Sequence, residues 1–226
     1  MSSYATNVIV DYGDGHRSRG LAILGILHPL KLLAAIPHLI VLYFLHIVAG
    51  LVAWIGYWVT LFAGRLPNSF QDLIGGVVRW SVRVQAWVAQ LVDDYPPFRL
   101  SGGDFPVDFV NEDGTDERHR VLGLLGIILL KPLLLLPHMV VLFFVSVAAL
   151  VMGWIGYWAV LFTGRFPESL FRLLEGTIRW SARLTAWHFG LTDHYPPFAL
   201  DNPPPNTPGD TGSSGGGTPE APARAA

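Results

Sequence analysis

The sequence predicts an all-α integral membrane protein built from two tandem repeats. Of its 226 residues, 51% are hydrophobic and only 14% are charged, whereas soluble domains carry about 25% charged residues. No Lys, Arg, Asp or Glu stands between Lys31 and Arg65 or between Lys131 and Arg165, so each interval is an uncharged run of 33 residues. Because a helix needs about 20 apolar residues to span a bilayer, both runs indicate insertion into lipid.

An internal duplication defines the domain organisation. A shift of 100 positions aligns residues 31–100 with 131–200 without a gap, and 34 of these 70 positions are identical. Self-similarity at a fixed spacing indicates a repeat architecture. The predicted membrane repeats are residues 5–100 and 104–200. Residues 201–226 are rich in Pro and Gly and are predicted to form a disordered tail.

Each repeat is expected to begin with a short strand and to continue with apolar helices. Hydrophobic and polar residues alternate over Asn7–Tyr12 and over Pro106–Val110, and a turn sequence follows each segment. In the first repeat an apolar segment, Leu21–Ile36, then ends at Pro37, which lacks a backbone donor and disfavours helix at the residue before it. The same proline is well placed to begin the next helix, His38–Ala63. The second repeat has the same order.

The last segment of each repeat is predicted to be an amphipathic helix in the membrane interface. On a wheel of 100° per residue, Glu168, Arg172, Glu175, Arg179 and Arg183 fall within an arc of 80°, opposite a set of Leu, Ile and Trp residues. A polar stripe rich in arginine suits a helix that lies in the interface plane. A second membrane crossing is the alternative, but two arginines near its centre would cost about 2.5–3.5 kcal/mol each.

The duplication also predicts the topology. Equivalent arginine-rich stretches follow both long helices, and such stretches tend to stay in the cytoplasm. Each repeat is therefore expected to cross the membrane an even number of times. The simplest arrangement is a helical hairpin that turns at Ile36–His38, although the bend could instead fall near Gly50–Gly56. Four crossings, a multi-pass position in the cell membrane and cytoplasmic termini follow from this arrangement.

Four arginines on the polar stripes are the candidate site residues: Arg79, Arg83, Arg179 and Arg183. The guanidinium fork matches phosphate geometry, and anionic headgroups lie where an in-plane helix would sit. The alternative role is a structural latch, in which these arginines pair with Asp93, Asp193, Glu175 or the strand segments. The two roles do not exclude each other.

Other polar and aromatic residues of the apolar runs are interpreted as structural. Lys31 and Lys131 are expected to snorkel near helix ends, although an ionisable group inside a membrane is otherwise a functional candidate. The Trp54/Tyr57/Trp58 and Trp154/Tyr157/Trp158 clusters are expected to form an aromatic belt or to pack, rather than to build a cation–π cage.

A metal site is not expected. His38 and His46 lie eight residues apart and share one helical face, which would suit a pair of ligands. However, Ser146 replaces His46 in the second repeat, and the long helix carries no carboxylate.

Four motifs occur in both repeats and carry a resemblance to a known family. They are Pro-His-x-(Ile/Val)-Val-Leu from Pro37, Gly-Arg-(Leu/Phe)-Pro from Gly64, Arg-Trp-Ser-x-Arg from Arg79 and Asp-x-Tyr-Pro-Pro-Phe from Asp93. Their combination resembles a bacterial membrane-domain family catalogued as domain of unknown function 4389. The resemblance implies membrane residence and a bacterial source, and it implies no catalytic activity.

The function expected from the sequence is that of a non-enzymatic membrane module. The chain has no Gly-rich phosphate loop, no His-Glu-x-x-His motif and no acid–base pair in its apolar runs, and the lack of Cys excludes thiolate sites. The net charge of −2 gives no indication of nucleic-acid binding. We expect no cofactor and no metal, and contacts with the lipid bilayer, with anionic lipid and with a protein partner or a second copy.

A small oligomeric channel or transporter is the alternative function. A transport path needs polar groups at mid-membrane. The apolar runs supply mainly Thr60, His46 and Ser146 for such a path.

Overall fold

The computed structural model describes residues 6–27, 29–111 and 117–201, and these are mostly helical. The elements in chain order are β1 (Thr6–Val10), α1 (Arg19–Ile26), α2 (Pro29–Ala63), α3 (Asn68–Val88), β2 (Val107–Asn111), α4 (Arg120–Ile127), α5 (Leu130–Leu134), α6 (Leu136–Thr163) and α7 (Glu168–His188). Apart from Asp201, the predicted tail lies outside the described residues.

The two short strands predicted at the starts of the repeats are present, and they pair with each other. β1 and β2 form an antiparallel two-stranded ribbon in which Val8 opposes Phe109, with both side chains buried. The pairs on either side are related by symmetry: a twofold rotation about the Val8–Phe109 pair places Thr6↔Asn111 on Val107↔Val10. A pseudo-twofold axis therefore passes through the centre of the ribbon.

Each repeat packs its N-terminal elements against the helices of the other repeat. α1 packs on α6 and α4 packs on α2, while β1 lies on α7 and β2 lies on α3. The helix contacts need glycine, because a Cβ at Gly25 would overlap the Tyr157 ring and one at Gly126 would overlap the Tyr57 ring. The repeats are therefore interlocked around one core.

The helical hairpin predicted within each repeat is not formed. α2 continues through Pro37 for 35 residues without reversing. An interior proline costs roughly 3 kcal/mol, but the flanking Ala35 and His38 are fully buried, so packing holds the helix on both sides of it. In the second repeat, which has an additional Pro132, the chain is interrupted between α5 and α6, and Pro137 stands in the first turn of α6. The proline prediction thus holds only for the second repeat.

Among the described residues, two helical segments are long and apolar enough to cross a membrane, Leu30–Ala63 and Leu136–Thr163. Only 22% and 17% of the residues in the most apolar part of each segment are buried, whereas the core helix of a soluble protein is mostly buried. The buried side of α2 is a single stripe of Lys31, His38 and small residues such as Ala49. Large apolar side chains cover the rest of the helix and are exposed, so each long helix has a narrow packed face and a wide apolar outer face.

The amphipathic helices were predicted to lie in the membrane interface, but in the structure they are packed on two sides. α3 lies between α2 and the ribbon, and α7 lies between α6 and the ribbon. Trp80 on α3 contacts α2, whereas Arg79 and Arg83 point towards the ribbon. These arginines face inwards because the ribbon and the chain beside it offer carbonyl oxygens that need donors away from water.

The pseudo-twofold axis fixes the direction of the long helices. Lys31 Nζ lies 4.9 Å from the centroid of the Tyr157 ring, and Lys131 Nζ lies 4.7 Å from that of Tyr57. A twofold axis places the two lysines at the same height along the axis, and likewise the two tyrosines. Because each lysine contacts a tyrosine, the height of the lysines is nearly equal to that of the tyrosines. Lys31 and Tyr57 are nevertheless about 39 Å apart along α2, at 1.5 Å per residue. α2 and α6 therefore run antiparallel and nearly perpendicular to the axis.

The exchange of strands predicts an intramolecular disulfide between the repeats. Asn7 and Val110 are paired on the outer face of the ribbon, and paired strand residues lie within the range of Cα separations that a disulfide bridges. Mild oxidation of the double variant Asn7→Cys/Val110→Cys should give a monomer with altered mobility in non-reducing electrophoresis. The single variants are the control, since they can form only linked dimers in this Cys-free chain. If the double variant also gave only dimers, the ribbon would be wrong.

Candidate functional site

The candidate arginines of the first repeat bind strand β2. Arg79 Nε lies 2.6 Å from Asp108 Oδ1, and Arg79 Nη2 donates to the Phe109 carbonyl at 3.0 Å. Arg83 Nε donates to the Val107 carbonyl at 3.1 Å. The two guanidinium groups, one turn apart on α3, therefore hold three successive residues of the strand.

The candidate arginines of the second repeat bind strand β1 in the same way. Arg179 Nε donates to Asn7 Oδ1 at 3.0 Å, and Arg183 Nε lies 3.5 Å from the Thr6 carbonyl. Arg183 Nη1 also donates to the Asp201 carbonyl at 3.1 Å. Each arginine pair thus clamps a strand that belongs to the other repeat.

The carboxylate that pairs with Arg79 and the one that pairs with Arg179 come from different elements. Asp108 pairs with Arg79, but the equivalent residue in β1 is Asn7, which is neutral. The second repeat supplies Glu175 instead, one turn before Arg179, with which it forms a buried ion pair. The first repeat has Gly75 at the position equivalent to Glu175. Each clamp therefore contains one carboxylate, from a different element.

Burial determines which groups Arg83 and Arg183 can contact. Arg83 and Arg183 are 0% exposed, so in this structure their guanidinium groups do not reach lipid headgroups. Burial lowers the pKa of Arg83 from its ordinary value, and the nearby Asp108 carboxylate opposes that shift. An arginine stays charged even so, and the backbone carbonyls of the ribbon accept its hydrogen bonds. The geometry of the four arginines is that of a latch to the strand segments.

Asp93 and Asp193, considered as partners of the arginines from the sequence, bind elsewhere. Asp93 Oδ2 accepts a hydrogen bond from the Ser18 backbone at 2.7 Å, and Asp193 Oδ2 accepts one from the His119 backbone at 2.6 Å. Ser18 and His119 are the N-caps of α1 and α4. The two aspartates thus hold the starts of the exchanged helices.

Three of the repeated motifs meet in one aromatic cluster in each repeat. In the first repeat, Trp80 Nε1 donates to His38 Nδ1 at 3.0 Å, and the imidazole stacks on Phe98 with ring centroids 3.9 Å apart. Tyr95 packs on the same imidazole and donates its hydroxyl to the Ala34 carbonyl at 2.8 Å. The second repeat repeats the cluster with His138, Trp180, Phe198 and Tyr195.

The histidines of α2 do not form a pair of metal ligands. His38 faces Trp80, whereas Nδ1 of His46 lies 2.8 Å from the Leu42 carbonyl of its own helix. In the described part of the chain, no group of three or more His, Asp or Glu residues could hold a metal ion.

The two lysines lie in aromatic cages that join the repeats. Lys31 Nζ lies over the rings of Trp87, from its own repeat, and Tyr157, from the other. Lys131 lies in the equivalent cage of Trp187 and Tyr57. Both lysines are only 1% exposed, so the expectation that they snorkel is wrong. The tyrosines of the predicted aromatic clusters thus belong to cation–π cages.

The tryptophans of the same sequence clusters face outwards. Trp54, Trp58 and Trp154 are exposed on the outer faces of α2 and α6, where an aromatic belt was expected, and Trp158 is half-buried. Only the tyrosine of each cluster turns towards the other repeat.

The cages differ in one hydrogen bond. Lys131 Nζ donates to the Trp187 carbonyl at 3.0 Å, whereas Lys31 Nζ has no hydrogen-bond partner among the described residues. Burial lowers the pKa of the neighbouring His188 from its ordinary value, and the charge of Lys131 lowers it further. Sequence reasoning missed the cages, because the lysine and the tyrosine of each cage come from different repeats. The only signal in the sequence was the presence of a lone lysine at the same place in each repeat.

These features define a two-repeat helical protein in which long helices with exposed apolar faces pack on amphipathic helices that are clamped to a ribbon. The chain belongs to the family Domain of unknown function (DUF4389), whose model matches residues 28–99 and 127–199. No curated protein and no solved structure matches the chain significantly. The matched segments contain the four arginines, both aromatic clusters and both lysines, but not the ribbon strands or α1.

The burial of the clamps predicts a large difference between two arginine substitutions. Arg83→Gln removes the donor to the Val107 carbonyl, and a buried carbonyl left without a donor costs about 1–3 kcal/mol. Thermal unfolding in mild detergent should show that loss. The control is Arg172→Gln, because the Arg172 side chain is more than half exposed in its ion pairs with Glu168 and Glu175 and pairs of exposed side chains contribute about 0–1 kcal/mol. Equal effects of the two substitutions would contradict the clamp.

Proposed function

We propose that this protein is a non-enzymatic module of the bacterial cell membrane, with its two long helices embedded in lipid. The supporting observation is the wide outer face of α2 and α6, which is apolar and exposed along the whole length of both helices. Monomeric soluble proteins rarely expose contiguous apolar patches larger than a few hundred Å². A surface of this kind is stable where lipid chains cover it.

The position of the ribbon supports an orientation in which the pseudo-twofold axis stands along the membrane normal. If the axis lay in the membrane plane, the ribbon would lie at mid-depth. The exposed Arg99 and Asp104 beside it would then face lipid. A charge there costs about 2.5–3.5 kcal/mol or more. With the axis along the normal, the ribbon faces water while α2 and α6 lie along the membrane.

This orientation replaces the four crossings expected from the sequence with two helices immersed from one side. Every Arg of the described residues lies outside α2, α5 and α6. Positively charged segments beside membrane helices are retained in the cytoplasm, so we assign the ribbon and both chain ends to the cytoplasmic side.

The absence of enzymatic activity is part of the same proposal. The polar side chains of the repeated motifs are engaged in internal contacts: the arginines bind strands, the aspartates bind helix starts, and His38 accepts from Trp80. These roles explain why the motifs recur in both repeats without a catalytic requirement. A protein partner or a second copy would then bind at the ribbon side, which faces the cytoplasm.

Membrane residence predicts resistance to extraction. The wild type should remain in the membrane pellet after alkaline carbonate treatment, whereas Phe44→Asp/Phe144→Asp should be partly released, because each charge on a lipid face costs about 2.5–3.5 kcal/mol. Both phenylalanines are exposed, so melting in detergent should change little. Ile9→Asp is the matched control, since Ile9 is an exposed apolar residue of the ribbon. Complete release of the wild type would refute membrane embedding.

The proposed orientation predicts equal depths along α2. Leu33, Phe44 and Phe62 are exposed near the start, middle and end of this helix. A fluorescent label on single cysteines at these positions should be quenched most by lipids brominated at one common depth. A label on Ile9→Cys should not be quenched. A deep Phe44→Cys label with shallow labels at the other two positions would show instead that α2 crosses the bilayer.

A further inference from the structure

A cavity of about 390 Å³ lies at the junction of the two repeats, between α2, α3, α6 and α7. Sites for small molecules and cofactors have volumes of about 300–1,000 Å³, are mostly apolar and contain a few polar groups. Leu39, Leu150 and Trp154 line the cavity and are also exposed on the outer faces of α2 and α6. The cavity therefore opens on the apolar surface that we assign to the bilayer.

Lys31 supplies a positive charge to this cavity. Its side chain is 1% exposed and lines the cavity wall, and its Nζ has no hydrogen-bond partner among the described residues. The rings of Trp87 and Tyr157 and the nearby carboxylate of Asp93 stabilise the charge, but none of them accepts a hydrogen bond from the ammonium group. A buried ammonium without an acceptor is costly, so an anionic group that entered the cavity would gain a strong, charge-assisted interaction.

Sequence differences between the repeats place small residues around this lysine. Several wall residues of the cavity are smaller than their equivalents beside Lys131. The pairs are Val88 and His188, Ala89 and Phe189, and Ser146 and His46. Larger side chains therefore stand beside Lys131 at the positions where smaller residues line the cavity beside Lys31.

We infer that this cavity binds one acyl chain of an anionic membrane phospholipid, whose phosphate accepts hydrogen bonds from Lys31 Nζ. The acyl chain lies against the apolar walls, and Gln85 and Ser146 are placed to bond the ester groups. The inference rests on the proposed membrane residence, because a phospholipid enters the cavity from the bilayer. Lys131 does not form an equivalent site, because its ammonium already donates to the Trp187 carbonyl.

The test is native mass spectrometry of the purified protein in neutral detergent with added phosphatidylglycerol or phosphatidylcholine of identical acyl chains. We expect one phosphatidylglycerol per chain, bound at least about tenfold more tightly than phosphatidylcholine, because the positive choline group of the latter is repelled by Lys31 and offsets the charge of its phosphate. Equal binding of the two lipids, or binding of several phosphatidylglycerol molecules with the same affinity, would overturn the site. This comparison needs no variant.

Three variants locate the bound lipid. Lys31→Gln should remove the preference for phosphatidylglycerol, and Ala89→Phe, which copies the second repeat, should prevent binding while keeping the lysine. Lys131→Gln is the matched control and should bind as the wild type does. Retention of the preference in folded Lys31→Gln would refute the assignment. Carbonate extraction of the same variants separates the two proposals, since loss of the lipid site should leave membrane residence unchanged.

Discussion

The ribbon is the constraint on which the rest of the structure depends, because its two strands come from different repeats. Once β1 and β2 pair, each strand lies over the amphipathic helix of the other repeat, where buried arginines bind its backbone. The exchange of α1 and α4 follows, since each is joined to its strand by a short connection. The buried charges of Arg83 and Arg183 are retained because a strand backbone without donors would be unstable there. Thus the clamps, the exchange and the common core depend on the same hydrogen bonds.

The two clamps show how a duplicated structure can change its residues while it keeps its charge. The first repeat places the carboxylate in the strand, at Asp108, and the second places it on the helix, at Glu175. A single substitution at either place would leave a partly buried arginine without a counter-charge, which costs more than a neutral exchange. Asn7 and Glu175 in the second clamp therefore replace Asp108 and Gly75 in the first as a coupled pair of differences, with one carboxylate in each clamp. The structure explains both differences, which the aligned repeats show only as unrelated substitutions.

The sequence contained the local structure but not the long-range pairing. The strands, the long apolar helices and the amphipathic helices were predictable, because each depends on periodicity within about 30 residues. The path at Pro37 was not, because tertiary packing around His38 outweighs the local cost of proline. The exchange between repeats was hidden for another reason: when two segments arise by duplication and share the same motifs, their sequence cannot show which copy packs on which. For the same reason the arginines pointed equally to lipid and to a latch until the position of the ribbon was known.

The same exchange gives the long helices a role in joining the two repeats. Because the axis makes α2 and α6 antiparallel, the start of each helix lies beside the last turns of the other, so a lysine from one repeat meets a tyrosine from the other. Two equivalent cages result, and symmetry alone would make them identical. The change from Phe189 to Ala89 and from His188 to Val88 breaks that identity. One cage is closed by its own backbone carbonyl and stabilises the core, whereas the other keeps its donors beside an open cavity. Duplication thus supplies one lysine for stability and frees the second for a ligand.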